Sequence, residues 1–287
     1  MMSITHRQYR LLSDHMAVYQ FMTEIYQRDW SCGVPAPFLE YALCSEWMDK
    51  SLVHRNRLWF DGETIVAMVF YENPASDSYF SLRPGYEKLA DEMVAYALSD
   101  MPKQDGQQRL VIFGAQKTLA EAAERAGLRR AFSYWDKVRD FAVPMDYPLP
   151  EGYHFATAPL DPAKCSECCW KGFNHEDEGP WDGKYESALS LMAAPHATHD
   201  LAVAVENGAG EYVCYAGMWW TPENKLAYME PLCTVPEHRR KGLAAAALSE
   251  LYRRTKALGA THMTGGGDPF YDKVGFEPLV EWNFWVK

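Results

Sequence analysis

The stretch from Leu226 to Phe276 constrains this chain more than any other. It opens with Leu226-Ala227-Tyr228-Met229-Glu230-Pro231-Leu232-Cys233-Thr234-Val235, an apolar run interrupted by one proline. That pattern predicts a buried strand with a break or bulge near its middle. A basic turn follows, Pro236-Glu237-His238-Arg239-Arg240-Lys241-Gly242. Beyond it, an Ala/Leu-rich segment puts Leu243, Ala247, Leu251, Thr255 and Leu258 on one helical face, and Gly259 is placed to end the helix. The unit is strand, glycine-containing turn, helix.

A helix start leaves backbone N–H groups without intrahelical partners, and the aligned peptide dipoles make that end an anion site. Gly242 lets a ligand approach the backbone, small Ala244 keeps the first turn open, and Arg239, Arg240 and Lys241 add positive charge. A diphosphate suits such a turn. The loop has neither the G-x-x-x-x-G-K-[ST] spacing of a P-loop nor the G-x-G-x-x-G of a dinucleotide fold, which disfavours those nucleotide sites.

Arg239-x-x-Gly242-x-Ala244 resembles the [QR]-x-x-G-x-[GA] motif of the GNAT superfamily of acyl-CoA N-acyltransferases. Further on, Phe270-Tyr271-Asp272-Lys273-Val274-Gly275-Phe276 resembles the second signature of that family, a Tyr-x-x-x-Gly-Phe helix end. The two motifs stand in the family's order and in its strand and helix context, and the resemblance covers roughly residues 150–287.

Composition sets the outer bounds. With 287 residues and 48% hydrophobic content, the chain is long and apolar enough for one large or two ordinary domains. A net charge of -11 argues against a nucleic-acid partner and leaves a cationic substrate open. Seven cysteines at irregular spacings fit free thiols in a reducing cytosol, so a cytoplasmic location is expected. The N-terminal residues show no signal-peptide core and no run approaches membrane-spanning length, so no membrane role is expected. A homodimer is compatible with all of this.

Read in order, the first half predicts helices from Ser13/Asp14 to about Arg28 and from Phe38 to Leu52, then a hairpin turned at Asp61-Gly62. A strand at Tyr79–Arg83, a helix at Tyr86–Leu98, a strand at Arg109–Phe113, a helix at Lys117–Ala126 and a strand at Ser133–Val143 complete it. The proline-rich segment 144–152 reads as a linker. The second half repeats the order: helices near Pro162–Phe173 and Lys184–Ala194, a hairpin across Asn207-Gly208, and the Leu226 strand with its helix. Strands at Thr261–Thr264 and Leu279–Val286 flank a short helix at Pro269–Val274. The expected class is therefore α/β, in the α+β sense of a mixed, largely antiparallel sheet flanked by helices. By resemblance it comprises two tandem GNAT-like domains, 1–143 and 153–287. The first half has Leu82-Arg83-Pro84-Gly85-Tyr86 where the second has its basic turn, and Ala123 where the second has Tyr271, so it is expected to be non-catalytic.

The resemblance implies an acetyl-CoA-dependent N-acetyltransferase acting on a primary amine, with no metal, and the acidic charge balance favours a small cationic molecule as acceptor. A second reading is a GNAT-fold acyl-CoA sensor or scaffold that does not turn over. In the family the strand before the phosphate loop pairs with the pantetheine arm, which assigns that role to Cys233, Thr234 and Val235. The N–H groups of Arg240, Lys241, Gly242, Leu243, Ala244 and Ala245 would carry the diphosphate. Tyr271 matches the family's general acid; a phenol near ~10 can protonate a thiolate whose conjugate acid is around 8.5 when it is well placed. Glu230, a carboxylate inside an apolar strand, is the candidate general base, or else a surface residue at a bulge. It shares a face with Cys233 and Val235 only if Pro231 shifts the register. Cys165-Ser166-Glu167-Cys168-Cys169 reads as a helix with ordinary thiols, since no second paired cluster stands at ligand spacing. His262 reads as a strand residue, Gly265-Gly266-Gly267 as a flexible loop, and acidic 173–182 either as a holder for a cationic amine or as a solvated loop.

Overall fold

In the computed structural model, which describes residues 4–287, the chain forms two units. One takes Met1–Lys137 with Pro278–Lys287, and the other takes Val138–Glu277. The division departs from the expected 1–143 and 153–287 at the C-terminus. The last strand pairs antiparallel with Arg109–Phe113, from Trp282 opposite Phe113 to Trp285 opposite Leu110, and so belongs to the first unit. Alternating apolar residues specify a strand but not its neighbour, which is why element order could not show this.

The first unit begins with β1 (Ile4–Gln8), which the sequence reading missed, α1 (Leu11–Ile25) and α2 (Ala36–Cys44). The hairpin β2 (Arg57–Asp61) and β3 (Thr64–Tyr71), β4 (Asp77–Leu82), α3 (Ala90–Asp100), β5 (Arg109–Phe113) and α4 (Lys117–Arg125) follow. Strand β6 (Arg129–Asp140) gives Arg129–Lys137 to this unit and Val138–Asp140 to the second. Two helix limits differ from expectation. Asp14 does not cap α1; its carboxylate binds the Arg7 guanidinium at 2.6 and 2.9 Å and the Arg10 N–H at 2.7 Å. The second helix ends at Cys44, and Lys50–Arg55 forms a separate 3-10 turn whose Asp49 caps the Ser51 N–H. Neighbouring strands pair antiparallel except β4 and β5, which run parallel and pair only at Asp77–Arg109 and Ser78–Leu110. Phe70, Phe80, Met93, Ile112 and Phe113 fill the core.

The second unit contains β7 (His154–Phe155), α5 (Pro162–Gly172), α6 (Glu186–Met192), β8 (Val203–Glu206) and β9 (Tyr212–Thr221). These precede β10 (Leu226–Thr234), α7 (Leu243–Ala257), β11 (His262–Thr264) and α8 (Pro269–Lys273); β12 (Glu277–Val286) is the last strand described above. Pro162 at the first helical position and the Asp161 carboxylate, which takes the Ala163 N–H at 2.9 Å, start α5. The sheet order here is β6-β11-β10-β9-β8-β7. Two cores cover this sheet. Leu243, Leu248 and Leu251 of α7 pack on Val205, Ala227 and Met263. Cys165 and Cys168 of α5 pack on Ala204, Tyr215, Cys233 and Val235. Leu258, expected on the buried face of α7, lies past its end and is 51% exposed.

Candidate active site

The strand that organises the sequence has the predicted bulge. Along β10, Met229 pairs with Met218 and Leu232 with Ala216, so Glu230 and Pro231 together oppose the single residue Gly217. The Glu230–Pro231 peptide is cis. A Cβ on Gly217 would lie 2.2 Å from the Glu230 carbonyl oxygen, so only glycine fits opposite the bulge. The extra residue reverses the alternation. Ala227 and Met229 belong to the α7-side core, whereas Cys233 and Val235 belong to the α5-side core. Counting back from the bulge, Glu230 alternates with Tyr228 and falls on the α5 side, the face of Cys233 and Val235. It is partly buried.

Beside the bulge the sheet opens. β10 and β11 run parallel and pair only at Leu226–His262 and Ala227–Met263. Past these, the Met229 N–H donates to Thr264 Oγ1 at 2.9 Å, and β11 ends. Among the described residues no strand pairs with Leu232, Cys233 or Thr234 on that side, which leaves an edge of the kind an extended amide-bearing chain can pair with.

The turn after β10 is shaped by two left-handed residues, Arg240 (φ 60°) and Gly242 (φ 87°). The first intrahelical bond of α7 runs from the Ala246 N–H to the Gly242 carbonyl at 3.0 Å, so the N–H groups of Leu243, Ala244 and Ala245 lie ahead of the helical ladder. Among the described residues no carboxylate caps α7. A Cβ on Gly242 would meet only Pro150 Cγ, at 3.9 Å; the backbone angle, rather than crowding, calls for glycine there. These features fit an anionic diphosphate.

The basic side chains divide their work. Arg239, grouped with its neighbours as phosphate-binding charge in the sequence reading, is committed elsewhere. Its guanidinium donates to the Thr234 carbonyl at 3.0 Å, to the Gly172 carbonyl at 2.9 Å and to Asn174 Oδ1 at 2.8 Å. It therefore ties the end of β10 to the C-terminus of α5. Lys241 Nζ donates to the Tyr153 hydroxyl at 3.3 Å, and that oxygen lies 2.9 Å from His238 Nδ1. Arg240 is exposed.

Tyr271 is 9% exposed, on α8, with its ring edge-on to Phe270 and Phe276. The glycines after β11 are its floor. A Cβ on Gly265 would lie 2.8 Å from Tyr271 Cδ1, and one on Gly266 would lie 3.3 Å from Cε2. Gly265-Gly266, read from sequence as a flexible loop, thus supports a ring. Gly275 (φ 78°) ends the helix, and the Arg139 guanidinium donates to its carbonyl. His262 is a buried strand residue, as expected.

The thiols are packing groups. Burial pushes Cys165 and Cys214 up to about 12, which leaves them protonated near neutral pH. The S–H groups of Cys168 and Cys169 draw the Cys233 thiol below its ordinary range, yet Cys233 is 5% exposed and donates to the Cys168 carbonyl at 3.6 Å. Residues 173–182 include a short 3-10 turn at His175–Glu178, and Trp170 Nε1 binds the Gly179 carbonyl at 3.1 Å.

The first unit has the same framework with its openings filled. Gly85 (φ 88°) precedes the 3-10 turn Glu87–Leu89 that leads into α3, but the Glu87 carboxylate itself accepts the Gly85 N–H at 2.8 Å. Where β4 and β5 cease to pair, the buried Gln116 amide bridges them. Its Nε2 donates to the Phe80 carbonyl at 3.0 Å and its Oε1 accepts from the Phe113 N–H at 3.0 Å. The sequence reading missed both. Glu87 and Gln116 look like ordinary surface-helix residues, and only the fold brings them to these places.

The acetyltransferase (GNAT) family model matches residues 165–276. No curated protein matches the chain. Among solved structures, an N-acetyltransferase from Sphaerobacter thermophilus is 16% identical, with a TM-score of 0.61, covering 100% of this chain and 96% of that one. A GNAT-family acetyltransferase from Colwellia psychrerythraea is 9% identical, with a TM-score of 0.62 and coverage of 98% and 99%. A tandem GNAT protein from the clavulanic acid biosynthesis pathway is 14% identical, with a TM-score of 0.58 and coverage of 99% and 98%. The chain thus has the fold of the tandem GNAT proteins, and its residues 165–276 match the acetyltransferase (GNAT) family model.

Proposed function

We propose that the second unit is an acyltransferase that moves an acetyl group from acetyl-CoA to the primary amine of a small molecule. One observation carries this reading: the unpaired edge of β10 leads directly into a turn of uncapped N–H groups at the start of α7. An acyl-CoA has an amide-bearing arm and a diphosphate in that order. The backbone of Cys233, Thr234 and Val235 would hold the arm. The N–H groups of Arg240, Lys241, Gly242, Leu243, Ala244 and Ala245 would hold the diphosphate, with Arg240 and Lys241 adding charge.

The chemistry needs a neutral amine, a polarised carbonyl and a protonated leaving thiolate. Glu230 would accept the amine proton, directly or through water, and Tyr271 would give its phenolic proton to the departing sulfur. A strand N–H aimed at the thioester oxygen would stabilise developing charge. Transfer is direct in this reading, since the thiols of the second unit are buried or half-buried packing groups. The acidic balance of the chain suits a cationic acceptor, and the filled turn of the first unit suits a supporting, non-catalytic role.

Calorimetric titration of acetyl-CoA into wild type and Gly242→Trp tests the cofactor half of the reading. Micromolar binding that the variant loses supports it. Absence of binding by folded wild type removes the acetyltransferase assignment. Thiol release from acetyl-CoA across a panel of primary amines then tests turnover, and binding without turnover on any amine would favour the sensor reading.

A further inference from the structure

An aromatic ladder that ends in a carboxylate lies on the first unit. Phe132, Tyr134 and Asp136 alternate along β6 and so share one face, with Trp282 and Phe284 of β12 beside them. Phe132 stacks on Phe284 with ring centroids 4.2 Å apart and planes 7° apart. Tyr134 stacks on Trp282 at 5.5 Å and 12°. The inner rings are fixed from below, Trp282 packing edge-on against Phe113 at 5.0 Å and Tyr79 at 6.1 Å. The outer rings are open to solvent: Phe132 is 47% and Tyr134 39% exposed. A strand that leaves two stacked rings half-exposed departs from the usual polar-outward alternation.

The carboxyl at the end of the ladder is withdrawn, and the pull of neighbouring Lys137 does not offset that burial. Burial pushes the Asp136 carboxyl up to about 7, against the opposing pull of the Trp282 indole N–H and of Lys137. Lys137, next along the strand, alternates to the other face. Arg109, whose guanidinium lies over Phe284, is held in a bidentate pair by Asp77 at 2.6 and 2.7 Å. Trp282 is 6% exposed, and its indole N–H, turned toward Asp136, works against burial to lower that carboxyl. A withdrawn carboxyl, a buried indole N–H directed at it and two open rings in line form a set that a cation with an apolar body would complete.

We propose that this face of the first unit binds a protonated amine carried on a flat apolar body, the ammonium meeting Asp136 and the body lying along Tyr134 and Phe132. An arylalkylammonium has this chemistry: the charge answers the carboxylate, and the ring extends the stack. The site stands independently of acyl transfer by the second unit.

The test is calorimetry on the full chain with 2-phenylethylammonium as the probe. Its uncharged N-acetyl derivative serves as control, and Asp136→Asn and Phe132→Ala are the variants. Asp136→Asn keeps the shape of the side chain and removes only its charge, so it folds. We expect saturable binding that weakens by about tenfold or more in Asp136→Asn, and by a similar factor for the uncharged derivative. A smaller loss is expected in Phe132→Ala. Binding that Asp136→Asn leaves unchanged would place the amine elsewhere and overturn the proposal. So would equal binding of the uncharged derivative, or no saturable binding by folded wild type at millimolar probe.

Discussion

Gly217 faces the Glu230 carbonyl across the β9–β10 bulge so closely that a Cβ would sit 2.2 Å from the oxygen and 2.7 Å from Pro231 Cδ. That contact makes Gly217 part of the candidate site without offering any side chain to it. The bulge puts Cys233 and Val235 on the same face as Glu230, and the glycine lets the bulge exist. Gly217→Ala should force the two strands apart, destabilising the fold by about 2–4 kcal/mol. Urea unfolding should show a lower midpoint at unchanged slope. A neutral Gly217→Ala would mean that the bulge has room to relax.

How far the sequence reached can be judged at this bulge. Pro231 inside an apolar run announced an irregular strand, and the Arg239-x-x-Gly242-x-Ala244 turn announced an anion site, because both signals are local. The direction of Glu230 was not legible, since it depends on a residue of β9 that nothing in the β10 sequence names. Arg239 shows the same limit from the other side. Its type suggested phosphate, but its partners are carbonyls of Thr234 and Gly172, the latter brought near only by α5 packing on β10. The C-terminal strand was read as a strand yet placed with the wrong unit, because pairing with β5 is a long-range choice.

Arg239→Ala should release the end of β10 from α5 while leaving the N–H groups of the turn in place. Loss of three charge-assisted hydrogen bonds at a solvent-exposed site is expected to weaken acetyl-CoA binding by about tenfold through a loosened turn. Arg240→Ala should weaken it less, and that smaller effect should disappear at high salt. Equal, salt-sensitive losses in the two variants would put Arg239 in contact with the cofactor instead.

Tyr271→Phe removes one oxygen from a ring held by Gly265, Phe270 and Phe276. Packing should survive, so acetyl-CoA affinity and the unfolding midpoint should stay close to wild type. Turnover of an identified amine should fall by about 10²-fold or more if the phenol protonates the leaving thiolate. Unchanged turnover would reduce Tyr271 to a packing residue.

Gln116→Ala in the first unit should strand the Phe80 carbonyl and the Phe113 N–H in a buried place, at a cost of about 2–4 kcal/mol. It should not create a second cofactor site, because the Glu87 carboxylate still occupies the Gly85 N–H. Calorimetry should therefore give one acetyl-CoA per chain for wild type and variant alike. Two per wild-type chain would show that the first unit opens.

Asp136 should make stability fall as pH rises. Burial holds its carboxyl at about 7, against an ordinary value of 3.8. Between these values the folded chain keeps a proton that the unfolded chain has released, so each step upward in pH favours unfolding. The contribution is fully present below the unfolded value and is lost by the time pH passes 7. Converted at 1.36 kcal/mol per unit, the whole shift corresponds to on the order of 4 kcal/mol at most. Asp136→Asn removes the titration. Its unfolding temperature should exceed that of wild type at pH 8 and converge with it near pH 4. The opposite trend, a variant less stable at pH 8, would mean that Asp136 already has a cationic partner in the folded chain, leaving the aromatic ladder without a vacant carboxylate at its end.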